Sequence, residues 1–344
     1  MSRKNLTPLE WRTGRLYLLD QTRLPGQVRY IQPVDYRAVV KAIRRLAVRG
    51  APLIGVAAAF GMTQEARRKA GRRSLLRAAR ALKAARPTAV NLAWAVERMT
   101  RILRDERIAD IHLPDTLERE ARAIQREEEM RSARMGKFGA SLIRGGSRIL
   151  TICNTGMLAA PGLGTALAAV YTAHRQGKRV LVYVPETRPL LQGARLTAFE
   201  LARARIPCVV LTDSMIATVM PEIDLVLVGA DRIAANGDTA NKIGTFQMAL
   251  LARQFGKPFY PVAPVSTFDF ATASGKDIPI EQRSARELMF CGPRQIAPAG
   301  VRFLNPAFDV TPARLITGIV TDQGILKPPF KRATARLEIP NSKS

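Results

Sequence analysis

Histidine is almost missing from this chain: His112 and His174 are the only two among 344 residues. That argues against a His-based metal cluster and against a Ser-His-Asp triad. Cysteine is nearly as scarce. Cys153, Cys208 and Cys291 are odd in number and widely spaced, so they form no disulfide framework, and no C-x-x-C suggests zinc. General acid or base chemistry then points to a carboxylate, a lysine or a cysteine. Aromatic residues make up 6%, too few for a base-stacking platform. No apolar run reaches membrane-spanning length. The N-terminal MSRKNLTPLEWRTG contains no apolar stretch resembling a signal peptide. The expectation is a soluble, cytoplasmic protein with no membrane partner.

Acidic residues are also short: 28 Asp+Glu face 54 Lys+Arg, a net charge of +26. The cations are spread along helical segments such as RRKAGRRSLLRAARALKAAR (67–86) and are not interleaved with aromatics. This reads as a basic surface on an ordinary enzyme. Nucleic acid is expected only as a non-specific, charge-driven and salt-sensitive partner. What the chain does have is apolar content, 47% over 344 residues, enough for one large or two medium cores.

Two patterns divide the chain. Residues 8–31 read as short strands with turns, and helical periodicity follows over 36–85, interrupted at VRGAPLIG (48–55), then over 90–105 and 113–144. The highly charged last helix could bridge two domains. Beyond it, short apolar runs alternate with helices: RILTIC (148–153), RVLVYV (179–184), PCVVL (207–211), DLVLVGA (224–230) and PFYPVA (258–263). That alternation is an α/β signature, a doubly wound parallel sheet. The expected division is 1–145 as an N-terminal α+β domain, 146–330 as a Rossmann-like catalytic domain, and 331–344 as a frayed tail.

In such sheets ligands bind at the carboxyl ends of the strands. The polar residues there are Cys153–Gly156, Glu186–Arg188, Thr212–Asp213, Asp231–Arg232 and Pro264–Ser266, and they are expected to converge on one crevice. Cys153, followed by Asn-Thr-Gly, reads as partly exposed. Cys208 and Cys291 read as structural. Asp231 ends a run of apolar residues, where desolvation would raise its pKa toward that of a general acid. Asn241 and Lys242 are expected at the N-terminus of the next helix, a ready anion site. Arg49 precedes a Gly50-Ala51-Pro52 turn that is either a simple helix break or an anion cradle, and Arg86-Pro87-Thr88 carries the same ambiguity. A dinucleotide fingerprint fails. Gly162 and Gly164 come too late after the strand, and Leu167 fills the place of the third small residue. Together these residues suggest acid–base chemistry on a phosphorylated small molecule.

The chain resembles the methylthioribose-1-phosphate isomerases in VRGAPLIGVAAAFG (48–61), ICNTG (152–156), VPETRPLLQGARLTAFEL (184–201), VGADRIAANGDTANKIGT (228–245) and GKDIPIEQR (275–283). The likeness runs from LLDQTRLP (18–25) to the segment 305–326. It implies a small N-terminal helical domain with a few strands, a Rossmann-like domain, and a homodimer. It also implies aldose–ketose isomerisation of 5-methylthioribose 1-phosphate in methionine salvage, with no metal or cofactor. Cys153 and Asp231 match the family's catalytic Cys and Asp, and the expectation is that Asp231 donates the proton while Cys153 stabilises the transition state or relays the proton. Arg49, Gly50, Ala51, Arg86, Gln192, Asn241 and Lys242 match its substrate-binding positions. Ile152 and Thr155 stand where the family commonly has His and Ala. Two alternatives go with the likeness: a related isomerase acting on 5-deoxyribose 1-phosphate or ribose 1,5-bisphosphate, and a non-catalytic regulatory subunit of the translation-initiation guanine-nucleotide exchange factor. The regulatory subunits lack the Cys and Asp pair that is present here.

Overall fold

The computed structural model describes residues 6–337, except 69 and 88. The first half begins with an antiparallel sheet of β1 (Leu9–Arg12), β2 (Arg15–Leu19) and β3 (Tyr30–Ile31). Five helices follow: α1 (Tyr36–Arg44), α2 (Ala51–Arg67), α3 (Arg72–Lys83), α4 (Val90–Arg104) and α5 (Leu113–Ala140). The stretch APLIGVAAAFGM is small and apolar on every face, so α2 is buried nearly all round. It forms the axis against which α1, α3, α4 and α5 pack. Pro52 sits in its first turn, where the missing N–H costs nothing. The interruption expected over 48–55 is therefore shorter, because the helix has already restarted at Ala51.

α5 is 28 residues long, about 42 Å at 1.5 Å per residue. It packs on α2 and α4 and also on α6 (Ala166–Arg175), so it touches both halves as its charge pattern suggests. One apolar cluster draws on residues from Leu9 to Ile124. Separate clusters take their residues from Met135 onward.

The second half holds five parallel strands: β4 (Arg148–Leu150), β5 (Leu181–Pro185), β6 (Cys208–Leu211), β7 (Leu225–Val228) and β10 (Phe259–Pro261). Each apolar run singled out in the sequence supplies one of them. Their order in the sheet is β10-β7-β4-β5-β6, with α6, α7 (Ala198–Ala204), α8 (Ile216–Val219) and α9 (Thr245–Gln254) in the connections. The chain winds outward from β4 in one direction through β5 and β6, and in the other through β7 and β10. The switch point lies between β4 and β7, the place where a doubly wound sheet opens a crevice. Cys153 follows β4 and Asp231 follows β7.

Several expectations fail. Asn241 and Lys242 do not open a helix. Thr239–Lys242 forms β9, antiparallel to both β8 (Arg232–Ala234) and β14 (Phe308–Thr311). With β11 (Phe268–Asp269) beside β8, these make a second sheet of four strands. Nothing in the polar string TANK signals a strand, and while β8 is a local partner, its other partner β14 lies more than sixty residues away. The helix starts only at Thr245, after Gly244 at φ +99°. Cys153, expected to be partly exposed, is buried; Cys291, expected to be structural, is exposed in the hairpin of β12 (Phe290–Cys291) and β13 (Arg294–Gln295), whereas Cys208 is half-buried against the core. The expected frayed tail begins as a helical turn over Phe330–Thr334, with Thr334 buried and its Oγ1 donating to the Ala235 carbonyl at 2.8 Å. Residues 338–344 lie outside the described set. Among the described residues, no helix is long and apolar enough to cross a membrane.

Candidate active site

Cys153 sits three residues past β4 and holds φ at +58°, a left-handed conformation that a non-glycine residue adopts only when its surroundings impose it. The surroundings are specific. Its N–H donates to Thr187 Oγ1 at 2.9 Å, and its carbonyl accepts from Thr197 Oγ1 at 2.6 Å. Thr187 is fixed in turn, with its N–H and that of Arg188 donating to the Asp213 carboxylate at 2.8 and 2.7 Å. The ends of β4, β5 and β6 are thus tied into one unit. Of the other strand-end residues, Ser266 instead accepts from Asn91 Nδ2 at 3.0 Å. Neither Ser266 nor Glu186 lines the cavity described below.

Arg49 reaches this unit from the other half of the molecule. Its Nη2 lies 3.5 Å from Cys153 Sγ and 3.3 Å from the Asn154 carbonyl, while Nη1 donates to Asn154 Oδ1 at 2.7 Å. The adjoining Gly50 is obligatory. At φ +93°, a Cβ there would lie 2.1 Å from the Ala159 carbonyl oxygen. The Arg-Gly-Ala-Pro turn therefore packs directly on the loop that follows Cys153, with the Leu53 N–H donating to that same carbonyl at 3.3 Å.

Arg49, Gly50, Arg86, Cys153, Gln192, Asp231 and Lys242 line one cavity, with Leu46, Leu190, Arg283, Ala307 and Phe308 completing its walls. Ala51 lines a small adjoining void with Arg86 and Asp231. Asn241 is not on the cavity wall. It is buried, and its Nδ2 donates to Thr245 Oγ1 at 3.0 Å. The cavity has a volume of about 50 Å³. A larger cavity of about 880 Å³ is lined by Leu9, Leu163 and Arg203 and contains neither Cys153 nor Asp231. Chemistry rather than size selects the smaller one.

The electrostatics follow from burial. Desolvation pushes the Asp231 carboxyl above its ordinary value, against the pull of Lys242, Arg86 and Arg49. Burial pushes the Lys242 ammonium down; its Nζ donates to the Ala307 carbonyl at 3.1 Å and lies 5.1 Å from the centre of the Phe308 ring. Burial also works to raise Glu281, but the guanidiniums of Arg86 and Arg283 outweigh it and hold that carboxylate below its usual range. Arg86 donates to Glu281 at 2.7 Å, and Arg283 is bound by both Glu281 and Glu287. Two buried polar atoms at the cavity residues lack partners, Gln192 Oε1 and Arg86 Nε. Gln192 is delivered by a π-helical turn, Gly193–Thr197, a feature that often marks functional sites. That turn crowds the end of β5 so tightly that a Cβ on Gly193 would lie 1.8 Å from the Pro185 carbonyl oxygen.

Sequence reasoning did not single out Leu46, Leu190, Arg283, Phe308 or Glu281 as site residues. Arg283 and Glu281 do lie within GKDIPIEQR, and a paired acid and base in a loop was the available signal. The leucines and Phe308 carried none.

The profile of the Initiation factor 2 subunit family matches residues 47–328. The methylthioribose-1-phosphate isomerase of Pelotomaculum thermopropionicum is 54% identical over 92% of this chain and 90% of its own. The chain belongs to the methylthioribose-1-phosphate isomerase family. It is an isomerase. The 5-deoxyribose 1-phosphate isomerase of Moorella thermoacetica is 47% identical to this isomerase over 96% of this chain and 97% of its own. Among solved structures, the 5-methylthioribose 1-phosphate isomerase from Pyrococcus horikoshii OT3 superposes with a TM-score of 0.89 at 41% identity, covering 97% of this chain and 96% of that one. A structure described as translation initiation factor eIF-2B, subunit delta, from A. fulgidus gives 0.85 at 40% identity, covering 96% and 99%.

Proposed function

We propose that this isomerase converts 5-methylthioribose 1-phosphate to 5-methylthioribulose 1-phosphate in methionine salvage. The observation that carries the reading is the meeting of Cys153 and Asp231 across the β4–β7 switch point, in one cavity with Arg49, Arg86 and Lys242. A regulatory subunit without chemistry has no need of a buried carboxyl and a cysteine in one cavity.

The substrate's phosphate occupies the anomeric oxygen, so its ring cannot open as a free hemiacetal does. Asp231, whose carboxyl pKa burial raises, donates to the ring oxygen as the bond from that oxygen to C1 breaks. Hydrogen leaves C2 and arrives at C1. The 2-hydroxyl becomes the ketone and releases the proton that restores Asp231, so atoms and charge balance. Cys153, beside the Arg49 guanidinium, stabilises the transition state. Arg49, Arg86 and Lys242 hold the phosphate against the Gly50-Ala51 turn, and the unpartnered Gln192 Oε1 accepts from a sugar hydroxyl. Asn241, behind the wall, holds the end of β9.

The 5-substituent meets Leu46, Leu190 and Phe308. Arg283 is already committed to two carboxylates, so the cavity suits one phosphate and one apolar group. Methylthio and deoxy substrates both satisfy this. Burying the thiomethyl group adds about 1.5 kcal/mol at ~0.8 per methylene-sized group, which favours it roughly tenfold. Turnover of methylthioribose 1-phosphate, 5-deoxyribose 1-phosphate and ribose 1,5-bisphosphate should fall in that order of kcat/KM, and the bisphosphate turning over fastest would overturn the substrate reading. A homodimer belongs to the same reading. Val209 and Val210 stand exposed on the edge strand β6 with Met215, and light scattering of the purified protein should give twice the chain mass.

A further inference from the structure

Glu200, on α7, is a buried carboxylate that touches no cavity wall of the site just described. It nonetheless accepts from four donors on elements around that site. Oε1 takes Asn154 Nδ2 at 2.7 Å and the Leu158 N–H at 3.2 Å; Oε2 takes the Met157 N–H at 2.8 Å and the Tyr171 hydroxyl at 3.1 Å. Three of these donors belong to the loop directly after Cys153. Gly156, at its centre, approaches so closely that a Cβ there would lie 2.2 Å from Glu200 Oε2. The fourth donor is Tyr171, on α6. Asn154 then passes the constraint on, because its Oδ1 receives Arg49 Nη1 at 2.7 Å while Arg49 Nη2 faces Cys153 Sγ at 3.5 Å.

We propose that Glu200 is a positioning residue for the isomerase reaction: through Asn154 it fixes Arg49 against the Cys153 sulfur and keeps the Cys153 loop in its strained conformation. The proposal rests on the functional reading above and extends it to a residue outside the cavity. A carboxylate suits the task better than an amide, since four donors converge on it and an amide would present an N–H₂ to some of them. Burial pushes this carboxyl above its ordinary value, against hydrogen bonds from four donors that are all uncharged. That arrangement is costly unless the geometry it enforces matters. A displacement of about 1 Å at a reacting group costs up to ~100-fold in rate.

The test uses Glu200→Gln, Asn154→Asp and the double variant, each checked for folding by circular dichroism and thermal melting. Glu200→Gln should lower kcat on methylthioribose 1-phosphate by about 10- to 100-fold with KM changed only a few-fold, because Arg86, Gln192 and Lys242 are untouched. Asn154→Asp, which sets two carboxylates face to face, should be at least as damaging. The double variant returns one acid and one amide to the pair, so it should recover part of the loss. The buried Cys153 should also be alkylated several-fold faster by iodoacetamide at one fixed pH in Glu200→Gln, read on the Cys153 peptide by mass spectrometry. Wild-type kcat and alkylation rate in a folded Glu200→Gln, or single losses that simply multiply in the double variant, would overturn the proposal. If Glu200→Gln alone does not fold, Asn154→Asp and the double variant still separate coupling from independence. If the wild type turns over none of the sugar phosphates, the substrate reading fails, while the alkylation comparison still tests Glu200.

Discussion

A carboxyl that must donate a proton near neutral pH has to be kept from ionising, and Asp231 is placed for that by the strand that carries it. Its raised pKa comes first from burial, so its proton-donating form persists above the ordinary carboxylate range. The sign follows: kcat should fall as pH rises through the Asp231 pKa. The same shift acts on stability. The folded state holds this proton more tightly than the unfolded chain, so ionisation at high pH costs folding free energy that is regained as pH drops. Asp231→Asn removes the cost. Its melting temperature should exceed that of the wild type at pH 8, and the gap should shrink as pH is lowered, even though its activity is lost; a wild type that melts higher at pH 8 would contradict a strained, buried acid. This residue stood out in the sequence as a carboxylate closing an apolar run, although many strand-end aspartates only tie down backbone N–H groups, as Asp213 does here by accepting those of Thr187 and Arg188. Arg283 and Phe308 did not: Arg283 lies in irregular chain with no periodicity to read, and Phe308 opens the short strand β14, whose pairing with β9 is non-local. Glu200 sits in a helix where an acid ordinarily means a solvated face.

Among the elements, the parallel sheet was readable because short apolar runs, too short for helices, alternate with helical stretches, and the inner strands β5 and β7 are buried on both faces while the edge strand β6 exposes Val209 and Val210. The second sheet was hidden because β9 is polar and its pairing with β14 is non-local. The consequence for the site is direct: Lys242 is aimed by a strand ladder rather than by a helix dipole. The turn before α2 was ambiguous from sequence, and geometry resolves it. Gly50 exists because the backbone there passes against Ala159 in a left-handed conformation. Gly50→Ala should therefore cost about 2–4 kcal/mol from strain and overpacking, seen as a lower urea midpoint, and should displace Arg49 from Cys153. A neutral substitution at this position would mean that the two halves are not packed as described.

Across the whole molecule, the charge of +26 was plain from composition, but its use was not, since cations are scattered and the cavity needs only a few. A basic field draws a dianionic substrate by long-range attraction that salt screens within about 10 Å at 0.1 M. Raising ionic strength from low to high should lower kcat/KM several-fold with kcat unchanged; salt-independent kcat/KM would show that the surface charge plays no part in capture. The central claim is that Cys153 and Asp231, meeting at the switch point, isomerise a methylthiopentose 1-phosphate. The direct measurement is the phosphorus and proton magnetic resonance of 5-methylthioribose 1-phosphate incubated with wild type, Asp231→Asn and Cys153→Ala. The account predicts conversion to the open-chain ketose by the wild type, and a loss on the order of 10²–10⁴-fold in each folded variant. Ketose formed at the wild-type rate by both variants, or no ketose from folded wild-type protein, would contradict it.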